Sequence, residues 1–124
     1  MSTTGTLVLR FRDIERPLGE TIRLHQQLIA EHKFTWWGWL YRSYETVPVE
    51  RFGAFRSSIS AGPLEVLLYD TGQGCIYSAM CTDLAFQDYL EASPEPRATP
   101  AYYNARSAPA WFKFVGIREV APIV

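Results

Sequence analysis

The chain has 124 residues, of which 48% are apolar and 15% aromatic, and its formal net charge is −1. This length is typical of one domain, and this apolar content builds a hydrophobic core and excludes a largely disordered chain. We therefore expect a single domain over residues 1–124, without the basic surface that strong, sequence-independent nucleic-acid binding needs.

Neither the apolar runs nor the N-terminus predict contact with a membrane. No apolar run approaches the roughly 20 residues that span a bilayer. Residues 1–5 lack the basic and apolar regions of a signal peptide. We predict a cytoplasmic protein. Cys75 and Cys81 do not form a disulfide framework, and we interpret them as two small buried side chains.

The first half of the chain predicts two strands and two helices. Alternating apolar and polar residues favour a strand over 6–12, and apolar residues at helical spacing predict a helix over 19–32. The aromatic run 34–42 is typical of a strand. A short second helix is predicted over 48–59, because a proline fits its first turn.

The second half predicts a hairpin and a closing strand. Two β-type runs, 64–70 and 75–83, flank a short Gly-containing turn. Asp70 is expected to cap this turn by bonding to its backbone. The proline-containing stretch 84–100 is predicted to be a long connection, and 110–118 a last strand.

This order of elements predicts an α+β fold. We expect a small curled, mostly antiparallel sheet, or an open β-barrel, of about five strands with two helices. A parallel α/β fold is disfavoured, since only the first connections have the length of helical crossovers.

Several segments also carry a family resemblance. The aromatic segment 36–42, the strand 64–70, the run 74–79 and the closing Trp-Phe-Lys-Phe at 111–114 resemble the PUA-like superfamily, especially its ASCH and EVE branches. The resemblance implies a pseudobarrel with a cleft that accepts a base, a nucleotide or a modified nucleotide. Residues 62–65 read Gly-Pro-Leu-Glu where those families have Gly-Asp before the hairpin strand, and no basic face is evident. Both departures argue against carrying over a nucleic-acid role.

The tryptophans of the aromatic run are the first candidate ligand contacts. On a strand, Trp37 and Trp39 share one face, and Trp36 lies on the other face with Arg42. Flat indole rings can stack a base, at about 1–3 kcal/mol per base. The alternative is that all three indoles are core residues.

A proline-bounded loop near the C-terminus is the second candidate. Tyr102, Tyr103, Asn104 and Arg106 offer hydroxyls for a sugar, an amide for a base edge and a guanidinium for phosphate. The alternative is an ordinary turn whose tyrosines lie over the barrel.

No pattern predicts a metal site, a cofactor or a catalytic constellation. His25 and His32 share a helical face, but two turns separate them by about 10.5 Å, too far to share one metal ion. HExxH, paired CxxC and Walker motifs are missing from the sequence.

We therefore interpret the chain as a non-catalytic module that binds a nucleotide, a modified base or a related small ligand. Arg42 and Arg106 would meet phosphate, and Lys113 is a further electrostatic candidate. Two alternatives stay open. One is a protein-interaction module, including a homodimer, that uses the same Trp, Tyr and Arg surface. The other is a small nucleotide hydrolase.

Overall fold

The structure, a computed structural model, describes residues 7–13, 17–39, 48–101 and 107–120. In chain order its elements are β1 (Leu7–Phe11), α1 (Glu20–His32), β2 (Thr35–Trp39), α2 (Val49–Ile59), β3 (Leu64–Asp70), β4 (Cys75–Glu91), a 3₁₀ turn (Pro96–Ala98) and β5 (Ala108–Glu119). Within the described ranges, no helix is long and apolar enough to cross a bilayer.

The five strands form one curled sheet in the order β1-β3-β4-β5-β2. β1 pairs with β3 in parallel, and the other pairs are antiparallel. A flat sheet would hold the two edge strands about 19 Å apart. Instead, the rings of Phe11 in β1 and Trp37 in β2 lie 5.2 Å apart between centroids. The sheet therefore curls into a half-barrel, which confirms the predicted α+β class.

Both helices pack against the concave inner face of this sheet. Ile22 and His25 of α1 are buried there, as are Phe52 and Phe55 of α2. The rings of Phe52 and Phe55 meet the ring of Phe112 in β5 with centroid separations of 5.4 and 6.4 Å. The main core thus lies between the two helices and the inner face of all five strands.

The start of α1 depends on a side chain from the preceding connection. Asp13 is buried, and its carboxylate accepts hydrogen bonds from the backbone N–H of Gly19 at 3.0 Å and from the hydroxyl of Thr21. Such an acceptor satisfies donors that a helix N-terminus leaves unpaired. Gly19 adopts a φ of 85°, which glycine accepts without steric cost. Asp13 therefore ties the end of β1 to the beginning of α1.

The predicted hairpin is confirmed, and Asp70 is its cap. This fully buried carboxylate accepts from the backbone N–H groups of Gly72 at 2.9 Å and Gln73 at 3.2 Å. The side-chain amide of Gln73 donates to the other carboxylate oxygen at 2.8 Å. One acidic side chain thus fixes the turn that joins β3 to β4.

The predicted connection over 84–100 is wrong in its first part. β4 continues to Glu91 and pairs with β5, with Leu84 opposite Phe112 and Phe86 opposite Ala110. Register shifts between Met80 and Asp83 allow the strand to bend and continue along its partner. β4 therefore ends at Glu91, shortly before Pro94, and not at Asp83, where the predicted strand ends.

Removing the central core ring should destabilise the fold. Phe112→Ala is expected to cost about 3–5 kcal/mol of unfolding free energy, because the fully buried ring leaves a cavity. Val49→Ala on α2 is the control, since Val49 is 54% exposed, and it should change stability by less than about 0.5 kcal/mol. Urea unfolding of both variants measures this difference. Equal losses would contradict the placement of the core.

Candidate ligand-binding site

The tryptophans of β2 divide between the two faces of the sheet, as the alternation predicts. Trp37 lies in the inner core at 4% exposure, and its ring meets those of His25 at 4.6 Å and Phe114 at 6.1 Å. Half-buried Trp39 meets the ring of Phe52 at 5.4 Å on the same side. Both indoles therefore hold β2 against the helices and β5.

Trp36 belongs to a second, smaller cluster on the opposite side, which we call the outer cluster. Its members are Phe34, Trp36, Ala85, Ala98, Ala108 and Trp111. The indole N–H of Trp36 donates to the Glu95 carboxylate at 3.2 Å, and the hydroxyl of Thr35 donates to the Ala98 carbonyl at 3.2 Å. The segment around the 3₁₀ turn therefore closes over the start of β2 and buries Trp36.

Two cations lie against the aromatic rings of the outer cluster. Lys113, directly across from Trp36 in the β2–β5 register, places its Nζ 4.4 Å from the centroid of Phe34 and 6.0 Å from that of Trp36. The guanidinium of Arg97 lies 5.6 Å from the Phe34 centroid and 3.5 Å from Glu95. Such cation–ring contacts are electrostatically favourable. They fix both charges beside a half-buried phenyl ring.

The carboxylates beside the two cations are those of Glu95 and of Asp83, which lies across from Lys113 in the β4–β5 register. Glu95 is shared between the indole of Trp36 and the guanidinium of Arg97. In the part of the chain that the structure describes, no carboxylate approaches the half-buried Lys113 ammonium within 4.0 Å. An ammonium that has lost part of its hydration shell and forms no ion pair within that distance can take up an incoming anion. The arrangement suits a planar ligand that carries negative charge.

The structure brings together only some of the predicted site residues. Trp36 and Lys113 meet in the outer cluster, whereas Trp37 and Trp39 lie on the other face of β2. Arg42, Tyr102, Tyr103, Asn104 and Arg106 lie outside the described residues. Near both ends of the segment 102–106, the chain nevertheless joins the outer cluster, through buried Ala98 and Ala108.

Four residues of the site were missed from the sequence: Phe34, Glu95, Arg97 and Trp111. Trp111 stands two residues before Lys113, so strand alternation would have put both on one face of β5. Glu95 and Arg97 gave no usable signal, because only the chain path after β4 brings them to β2.

A family model described as Pua-like matches residues 7–123. The match therefore includes the whole outer cluster and both helices. Searches with the chain found no matching curated protein and no matching solved structure.

His25 supports the site from the inner side. Its ring is fully buried against Trp37, and its Nδ1 donates to the Thr21 carbonyl at 2.8 Å. Burial lowers the pKa of His25 to about 4, and hydrogen bonds with the backbone of Thr21 and Trp36 offset this only in part. His25 is thus a neutral core residue beneath β2.

The stability of the protein should consequently fall in mild acid. The unfolded chain protonates His25 near its ordinary pKa of 6.5 and the folded protein only near 4. The stabilisation is therefore complete above pH 6.5 and is lost as the pH falls toward 4, by about 2–3 kcal/mol between about pH 7 and about pH 4.5. Urea unfolding at the two pH values should show a smaller loss for His25→Phe than for the unmodified chain. His32→Gln, at a partly exposed position, is the control. An equal loss in His25→Phe would contradict this assignment.

Proposed function

The chain belongs to the Pua-like family, whose fold is that of a binding module, and from this premise we propose that it binds a nucleotide or modified base without transforming it. The observation that carries the proposal is the Lys113 ammonium, which lies against Phe34 and Trp36 with no carboxylate of the described residues within 4.0 Å. The proposed site is the outer cluster.

The chemistry of the outer cluster supports an anionic, planar ligand. A phosphate at Lys113 would form a charge-assisted hydrogen bond with a donor that is already partly desolvated. A base would stack on the exposed part of the half-buried Phe34 ring, beside the two cations that lie over it, at about 1–3 kcal/mol. Trp36 is only 3% exposed and is bonded to Glu95. Its role in this proposal is to form the wall that holds Phe34 and Lys113 in place.

The remaining predicted residues take two kinds of role in the proposal. Trp37 and Trp39 keep β2 in register from the inner side. Tyr102, Tyr103, Asn104 and Arg106 belong to the segment whose neighbouring residues enter the outer cluster, and they would contact the base, the sugar and the phosphate. Arg42 is a further candidate for phosphate. A cytoplasmic location stays a prediction of the sequence.

A pair of lysine variants tests the proposal, since Lys33 and Lys113 are the chain's two lysines. Nucleoside mono-, di- and cyclic phosphates and modified bases are titrated by calorimetry and tryptophan fluorescence. Lys113→Met should weaken binding of a phosphorylated ligand by about tenfold or more, because a charge-assisted contact is lost. Lys33→Met, at the exposed end of α1, should leave the affinity unchanged.

Two results would contradict the proposal. Unchanged affinity in Lys113→Met would remove the outer cluster from the binding site. Release of a chemically altered product from the bound ligand would replace the binding module with the hydrolase alternative.

A further inference from the structure

A second surface lies on the outer side of the sheet, over β1, β3, β4 and the second half of β5, and we call it the apolar face. Its members are Val8, Leu67, Tyr69, Ile76, Met80 and Val115. Four of them are exposed aliphatic side chains: Val8 at 51%, Ile76 at 42%, Met80 at 40% and Val115 at 39%. Large aliphatic side chains that share one sheet face and remain in water mark an interaction surface.

Strand register makes this surface continuous. Val8 lies directly across from Leu67, and Tyr69 from Ile76. Met80 lies across from Glu65 on β3 and from Gly116 on β5, and the exposed Val115 stands at the bulge next to Gly116. Because paired residues on one face are about 5 Å apart, these side chains form one patch. The ligand site proposed above occupies the other half of the sheet, on β2 and the first half of β5.

Two arginines stand at opposite ends of the apolar face. Arg10 on β1 is paired with Tyr69, and Arg118 on β5 is paired with Ser78. Both side chains are exposed, and no carboxylate in the described ranges lies within 4.0 Å of either. Glu65, the acidic residue on this face, accepts a hydrogen bond from Ser78. The face is therefore apolar at its centre and carries surplus positive charge at its edges.

Charge and shape exclude two other occupants. In a two-fold dimer through this face, both copies would bring Arg10 and Arg118 into one interface, with Glu65 alone to offset them. A single-stranded nucleic acid needs flat rings for its bases, whereas this face is mainly aliphatic and its aromatic member, Tyr69, is half-buried. A protein segment with both acidic and aliphatic side chains complements the positive edges and the apolar centre of this face.

We propose that the apolar face docks a segment of another protein that carries aliphatic side chains between acidic ones. The acidic groups would pair with Arg10 and Arg118. These two residues lie about 16 Å apart, because three strand spacings and two residues along the strand separate them. The aliphatic groups would cover Ile76 and Met80. This surface would let the module attach to a partner while the outer cluster holds its ligand.

A peptide-display selection on the full chain tests this inference. The expected result is enrichment of peptides with acidic and aliphatic residues, whose synthetic versions bind in a salt-dependent manner. Arg118→Glu should weaken a selected peptide by about tenfold or more, and exchange for lysine of the one acidic residue that pairs with position 118 should restore binding to that variant. Arg51→Glu, on the helical side of the molecule, is the matched control and should bind normally.

An aliphatic pair of variants completes the test. Ile76→Thr should weaken the same peptide, whereas Val49→Thr, at an exposed position on α2, should not. Unaltered melting temperatures in all four variants establish that the fold is retained. Enrichment of basic peptides, or of none, overturns the inference. A concentration-dependent doubling of mass that Ile76→Thr abolishes would show a dimer instead and also overturn the inference. Binding of a single-stranded oligonucleotide that Arg118→Glu abolishes would overturn it as well.

Discussion

The pairing of β2 with β5 is the constraint on which the rest of the structure depends. It places Trp37 opposite Phe112 on the inner side and Trp36 opposite Lys113 on the outer side. Because side chains alternate along a strand, a shift of one residue would exchange these two faces. The core would then receive a lysine, and the outer cluster would lose its cation.

Burial on both sides of this strand pair explains why so short a strand carries three tryptophans. The helices cover the inner indoles, and the segment around Pro96–Ala98 covers Trp36 through the Glu95 and Thr35 hydrogen bonds. The strand pair is consequently rigid. Such a support would fix the positions of Lys113 and Phe34 before the proposed ligand binds, so less ordering entropy would be lost on binding.

Local sequence patterns predicted most of the helices and strands. The features that they did not predict depend on pairing between residues distant in sequence. The periodicity of 19–32 and the turn after Asp70 were sufficient for α1 and the hairpin. The extension of β4 was not predicted, because bulges interrupt the alternation of its residues and prolines follow the strand. In the site, Trp36 and Lys113 were each predicted, but their contact depends on a register between residues distant in sequence. For the same reason, Glu95 and Arg97 could be found only in the folded chain.

Ligand binding at the outer cluster is tested most directly by a nitrogen–proton NMR titration with a nucleotide, followed through the indole N–H signals of the chain's four tryptophans. These signals report separately on the two faces of the sheet. Binding at the outer cluster should give saturable shifts at Trp36 and Trp111, with much smaller changes at Trp37 and Trp39. Shifts confined to Trp37 and Trp39, or an unchanged spectrum, would contradict the assignment of the outer cluster as the binding site.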